Sequence, residues 1–114
     1  MIAEPIPAAR ITAEAARLIG EDFVADNLGD QIGVGTPARV VSSLRSAWVV
    51  PLMLTSPGYG AVGIVGVLII DEELGHISAW TAVEEIEANA ARLIEENKTA
   101  LESAFEQARI RGAA

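Results

Sequence analysis

Residues 47–80 read AWVVPLMLTSPGYGAVGIVGVLIIDEELGHISAW, and this stretch decides the fold. It holds two apolar runs, Ala47–Thr55 and Ala61–Ile70, both rich in Val, Ile and Leu. Ser-Pro-Gly-Tyr-Gly separates them. Pro57, Gly58 and Gly60 supply fixed and positive φ angles, so the separator reads as a hairpin loop. A second break, Asp71-Glu72-Glu73-Leu74-Gly75, leads into a shorter alternating run from His76 to Thr81. Two hairpins in succession make an antiparallel meander.

The two long runs carry apolar side chains on both faces. Trp48, Val50, Leu52 and Leu54 share one strand face, and Val49, Pro51 and Met53 share the other. In the second run Val62, Ile64, Leu68 and Ile70 fall together, opposite Val65, Val67 and Ile69. A sheet with one wet face alternates apolar with polar residues. Apolar residues on both faces require that both be covered. Either the helices lie on opposite faces, or a second subunit covers one.

Working outward, 114 residues make one domain, residues 1–114. Pro5 and Pro7 mark residues 1–11 as an extended arm. Thr12 is placed to cap a helix over residues 12–28, with Ala16, Ile19 and Phe23 on its inner face and Gly29 as its stop. Asp30–Pro37 reads as a loop, and the meander occupies residues 38–81, beginning with a strand at Ala38–Leu44. Thr81-Ala82-Val83-Glu84 has the form of a capping box and opens a helix over residues 82–110. Its stripe is Val83, Ile86, Ala90, Leu93, Ile94, Leu101, Ala104, Phe105 and Ala108, interrupted by Asn97. Such a helix spans ~40 Å. The expected fold is therefore α+β: an N-terminal helix packed on an antiparallel meander of three to four strands, then one long C-terminal helix.

Charge and composition remove several function classes. Net charge is −8, and residues 71–106 hold ten acids against Arg92 and Lys98. No basic cluster is present, so nucleic acid is not expected as a partner. The longest apolar run is about ten residues where a membrane helix needs ~20. The N-terminus lacks the basic start and apolar core of a signal peptide, and cysteine is absent; the expectation is a cytoplasmic protein without membrane contact.

The residues of chemical interest read as structural. Gly58-Tyr-Gly60-Ala-Val-Gly63 matches G-x-G-x-x-G, but it leads into a Val/Ile-rich strand, where a dinucleotide site needs a helix start. Gly63 and Gly66 instead mark a bulge or the close approach of a helix or a second chain. His76 is the single histidine and has no nucleophile beside it. Asp71, Glu72 and Glu73 form a solvated turn without the spaced oxygens of a calcium loop. No catalytic residue, cofactor or metal ligand is assigned. Tyr59, at a loop tip, is a candidate contact for a partner.

Two motifs carry a resemblance. Trp48-Val49-Val50 and the hairpin Leu68-Ile69-Ile70-Asp71-Glu72-Glu73-Leu74-Gly75-His76-Ile77 resemble those of small cystatin-like domains of the PepSY and immunity-protein-35 (YrhB-like) type. There a helix packs on a meander, with Trp-x-Val near a strand start and an apolar-x-apolar-Asp-x-x-Thr-Gly-x-apolar hairpin. Leu74 stands where that pattern has threonine. The resemblance covers roughly residues 12–80 and implies a non-enzymatic binding or inhibitory module, such as an immunity-like partner of another protein.

The function expected is thus a small protein-interaction module and not an enzyme. The alternative is a small-molecule binding or sensing domain with an apolar pocket between helix and sheet near Trp48. A homodimer is expected on two grounds. The second sheet face is apolar, and Asn97 in mid-stripe resembles a polar residue that sets register between helices. The candidate interface residues are Val49, Met53, Tyr59, Val65, Val67, Ile69 and Asn97.

Overall fold

A computed structural model describes residues 9–113 of the chain. The architecture is α+β: an N-terminal helix, an antiparallel sheet and two C-terminal helices. The part of the expected arm that falls on residues 1–8 lies outside the described residues.

Helix α1 runs Ala13–Asn27. Thr12 caps it, its hydroxyl oxygen accepting from the Ala15 N–H at 3.1 Å. The helix ends because Leu28 takes an extended conformation, with φ −129° and ψ 169°. Gly29 follows this break and does not make it. Ala16, Gly20 and Val24 are buried, and Ile19 and Phe23 pack against the same core.

The sheet contains β1 (Ile32–Val34), β2 (Ala38–Val41), β3 (Ser46–Ser56), β4 (Gly60–Asp71) and β5 (Ile77–Trp80). All pairings are antiparallel, and β3 and β4 form its long central hairpin. β1 and β2 lie end to end along β3, opposite Leu52–Leu54 and Ser46–Val49 respectively. The residues expected as a loop thus contain a short strand. Pro51 explains the interruption. Its carbonyl accepts from the Gly35 N–H at 2.8 Å, so its ring nitrogen, with no hydrogen to donate, points to the same side. It meets the gap between β1 and β2, where no ladder bond is required.

The central hairpin turns at Ser56-Pro57-Gly58-Tyr59, closed by the Tyr59 N–H on the Ser56 carbonyl at 3.1 Å. Proline at the second position and Gly58 at φ +76° at the third are the residues a type II turn requires. The G-x-G-x-x-G run is therefore turn and strand, and no helix begins there.

Two register shifts interrupt the ladder between β3 and β4. Leu52 pairs with Gly66 and Met53 with Ile64, leaving Val65 as an extra residue; Val62 is extra in the same way between Gly63 and Ala61. A bulge re-aims the side chains on either side of it. Val65 is consequently 1% exposed and joins the core, while Ile64 is 60% exposed on the opposite face. This reverses the expected placement of both residues.

Helix α2 runs Val83–Glu96 and α3 runs Lys98–Ala113. The expected single helix is broken at Asn97, which has φ −114° and ψ 16° and whose amide donates to the Leu93 carbonyl at 2.8 Å. Asn97 ends a helix; it is not a position in a stripe between helices. The capping box does not form either. Ala82 is the N-cap, with no side-chain cap bond. Thr81 belongs to the sheet: its hydroxyl accepts from the Val67 N–H at 3.0 Å, and its own N–H donates to the Val67 carbonyl at 3.1 Å.

Both packed helices lie on one face of the sheet. Gly20 of α1 rests on Val50 and Val34, where an added Cβ would come within 3.1 and 3.2 Å of their methyl groups. Gly66 of β4 lies under Ile86 of α2, where a Cβ would come within 2.9 Å, and Gly63 lies under Leu93 at 3.0 Å. Val34, Leu52 and Gly66 are one row of the sheet and Val50 and Leu68 the next, so α1 and α2 share a side. Val50, Leu52, Leu54, Leu68, Ile70 and Ile86 are almost wholly buried between them.

Candidate interaction surface

The register defines what lies on the opposite face. Gly33, Met53 and Ile64 form one row across the sheet, and Pro51 and Val67 the next. Ala38, Val49, Ile69 and Ala79 follow, and Val40, Ala47 and Asp71 close the series. Toward the hairpin tip Thr55 and Ala61 add a further row, and apart from Thr55 and Asp71, at the two ends, every member of these rows is apolar or glycine. Asp71 sits at the rim, where its carboxylate accepts from the Leu74 N–H at 2.9 Å and holds the β4–β5 turn. Among the described residues no helix packs on this face. The close approaches at Gly33 and Gly35 come only from neighbouring side chains of the sheet itself, Thr55, Pro51 and Met53.

The central members shield one another. Val49, Pro51, Met53, Val67 and Ile69 are half-buried, and Ile64 and Val40 stand out from the surface. Of the candidate residues, the structure gathers Val49, Met53, Val67 and Ile69 on this open face. Val65 is under α2, where its carbonyl accepts from the Asn89 amide at 2.9 Å. Tyr59 is exposed at the hairpin tip, and Asn97 lies between α2 and α3; neither belongs to the face. Gly63 and Gly66 admit α2 and not a second chain. Sequence parity alone missed Ile64, because the bulge at Val65 decides which way it points.

The helical side is different in character. A groove of about 370 Å³ runs between the end of α1 and α2, lined by Leu28, Ile32, Leu54, Ile86, Ala90 and Ile94. It is remote from Trp48, whose indole N–H donates to the Ile11 carbonyl at 2.7 Å and which packs on the core. The acids of α2, Glu84, Glu85, Glu87, Glu95 and Glu96, are all exposed.

One ion pair is set into the fold. Arg39 on β2 donates to the Glu72 carboxylate through Nε at 2.7 Å and Nη2 at 2.9 Å. Glu72 is 8% exposed, so one member of the turn expected to be solvated is buried and paired. The Arg39 hydrogen bonds hold its carboxyl below the ordinary glutamate value, against the opposing effect of burial. The Glu72 carbonyl accepts from the Ile11 N–H at 2.9 Å, which ties the entry to α1 to the same turn. His76 is exposed at the start of β5, its carbonyl accepting from the Asp71 N–H at 2.8 Å. Among the described residues no three acidic or histidine side chains converge as a metal site, and no helix is long and apolar enough to cross a membrane. No family model, curated protein or solved structure matches this chain.

Proposed function

We propose that the chain is a non-enzymatic protein-interaction module that works through the open face of its sheet. This role agrees with the inhibitory or immunity-like part implied by its likeness to cystatin-like domains. One observation carries the reading: α1 and α2 cover one face, and the other is an apolar surface spanning several strands. A water-facing antiparallel face ordinarily alternates to polar residues, and an apolar patch of this extent marks a contact surface.

The test compares the wild-type chain with Val67→Glu, each immobilised and exposed to a lysate of the source cells and to added free chain. The expected result is that proteins retained by the wild type fall at least tenfold on the variant. Equal retention by both would remove the face from the function. Val67 is half-buried on the open side, so the variant retains the core between sheet and helices; circular dichroism verifies this.

The groove between α1 and α2 supports the alternative, a small-molecule binding domain. Its volume falls within the range of ligand sites, and its lining combines apolar side chains with the polar Asn27, Asp30, Gln31 and Glu87. Titration calorimetry with decanoate against the wild type and Ala90→Trp tests it. That reading requires micromolar binding by the wild type that the variant loses.

A further inference from the structure

The interaction reading leaves the occupant of the sheet face open, and we infer that it is a second copy of this chain, stacked face to face about a two-fold axis. The inference rests on that reading. Its first support is area. The face extends over about nine residues of the hairpin and four strand positions; at ~3.3 Å per residue and ~4.8 Å per strand this is about 30 by 19 Å, roughly 600 Å². Two such faces together bury about 1,200 Å², at the lower end of the ~1,200–2,000 Å² that stable, specific interfaces bury.

Charge supplies the second support. The chain carries a net charge of −8, and two copies repel wherever their acids meet. Among the described residues the open face has no ionised side chain except Asp71 at one end. The helical side displays the acids of α2. Two copies therefore approach most favourably sheet to sheet, with both helical layers turned outward. A basic partner would find no complementary charge on this face. The third support is symmetry: a two-fold pairing uses the same patch on both copies, so the sheet face that the described residues leave uncovered on each chain is covered by the other. Sheets stacked in this way pack about 10 Å apart with their side chains interdigitated. Met53, Ile64, Val67 and Ile69 would form the centre.

Sedimentation equilibrium on the full chain from 0.5 to 100 µM tests the inference. The expected result is twice the 12.0 kDa chain mass in the upper part of the range. Ile64→Glu is the informative variant, because Ile64 is 60% exposed in the single chain and its loss leaves the core intact. It places two acids in the centre of the pair and should raise the dissociation constant at least a hundredfold, with an unchanged circular dichroism spectrum. A wild-type mass that stays at one chain up to 100 µM overturns the inference. So does a dimer whose dissociation constant in Ile64→Glu and in Val67→Glu is the same as in the wild type, since it would be held by another surface. A monomer that still loses its lysate partners in Val67→Glu refutes the second copy alone; a monomer that keeps them refutes the interaction reading as well.

Discussion

Gly58 shows how much a single position can decide. Its φ of +76° closes the central hairpin, and a Cβ there would lie 2.4 Å from the Ala104 carbonyl of α3. Gly58→Ala should therefore cost at least about 1–2 kcal/mol, read as a lowered urea midpoint; an unchanged midpoint would mean that neither turn nor helix contact is as described. Glu72 is a second decisive residue. Its carboxyl titrates below the ordinary glutamate value because Arg39 hydrogen-bonds its charged form. A depressed folded value gives stability that is fully present above the unfolded value and is lost as the pH falls through the folded one. The wild type should lose stability over that acidic window, and Glu72→Gln should lose less there while being less stable at pH 7. Identical pH profiles would contradict the pairing. The turn at Gly58 was legible, because proline followed by glycine has one common use. The ion pair was not: its partners are 33 residues apart, and the acid looks like its solvated neighbours.

At the scale of elements, α2 is the clamp of the helical layer and α3 is peripheral. Ile86 is 1% exposed and sits in the hollow that Gly66 leaves. Ile86→Ala should cost ~2–5 kcal/mol, whereas Phe105→Ala on α3, with Phe105 51% exposed, should fall within about 0.5 kcal/mol of the wild type. Chemical denaturation of both separates them; equal losses would mean that α3 is part of the core. Thr81→Val leaves the Val67 N–H without its hydroxyl acceptor and should cost about 1–3 kcal/mol, while Thr81→Ser should restore most of it. Helix α1 and the strands of the long hairpin could be read from cap, periodicity and turn residues. The capping box misled because Thr81 is within reach of β4, and its hydroxyl answers the sheet in place of the helix. β1 was hidden because a three-residue strand with Gly33 at its middle carries too little pattern. The bulges were hidden because Val62, Ile64 and Val65 are all apolar, and residue type does not say which valine is the extra one.

For the whole molecule, the sequence contained the essential tension without its resolution. Apolar residues on both faces of the hairpin demanded two covers. Among the described residues the structure supplies one, made by α1 and α2 together, because Gly20, Gly63 and Gly66 all lie on the same side. The acids are on the outside of that cover, and the bare face is uncharged except at its rim. A molecule divided in this way behaves as half of a sandwich. Its two-fold pairing would complete a four-layer arrangement of helices, sheet, sheet and helices.

The most direct measurement is an isotope-filtered nuclear Overhauser experiment on a mixed sample, in which one half of the chains carries labelled methyl groups and the other half does not. Met53 lies on the open face beside its middle row, Pro51 and Val67, which makes its methyl group the natural reporter. Face-to-face pairing predicts intermolecular contacts from the Met53 methyl to valine and isoleucine methyls at Ile64, Val67 and Ile69 of the second chain, and none from Val50 or Leu68 in the covered core. Intermolecular contacts confined to Phe105 and Ile110 of α3, or no intermolecular contact from Met53 at millimolar concentration, would contradict it.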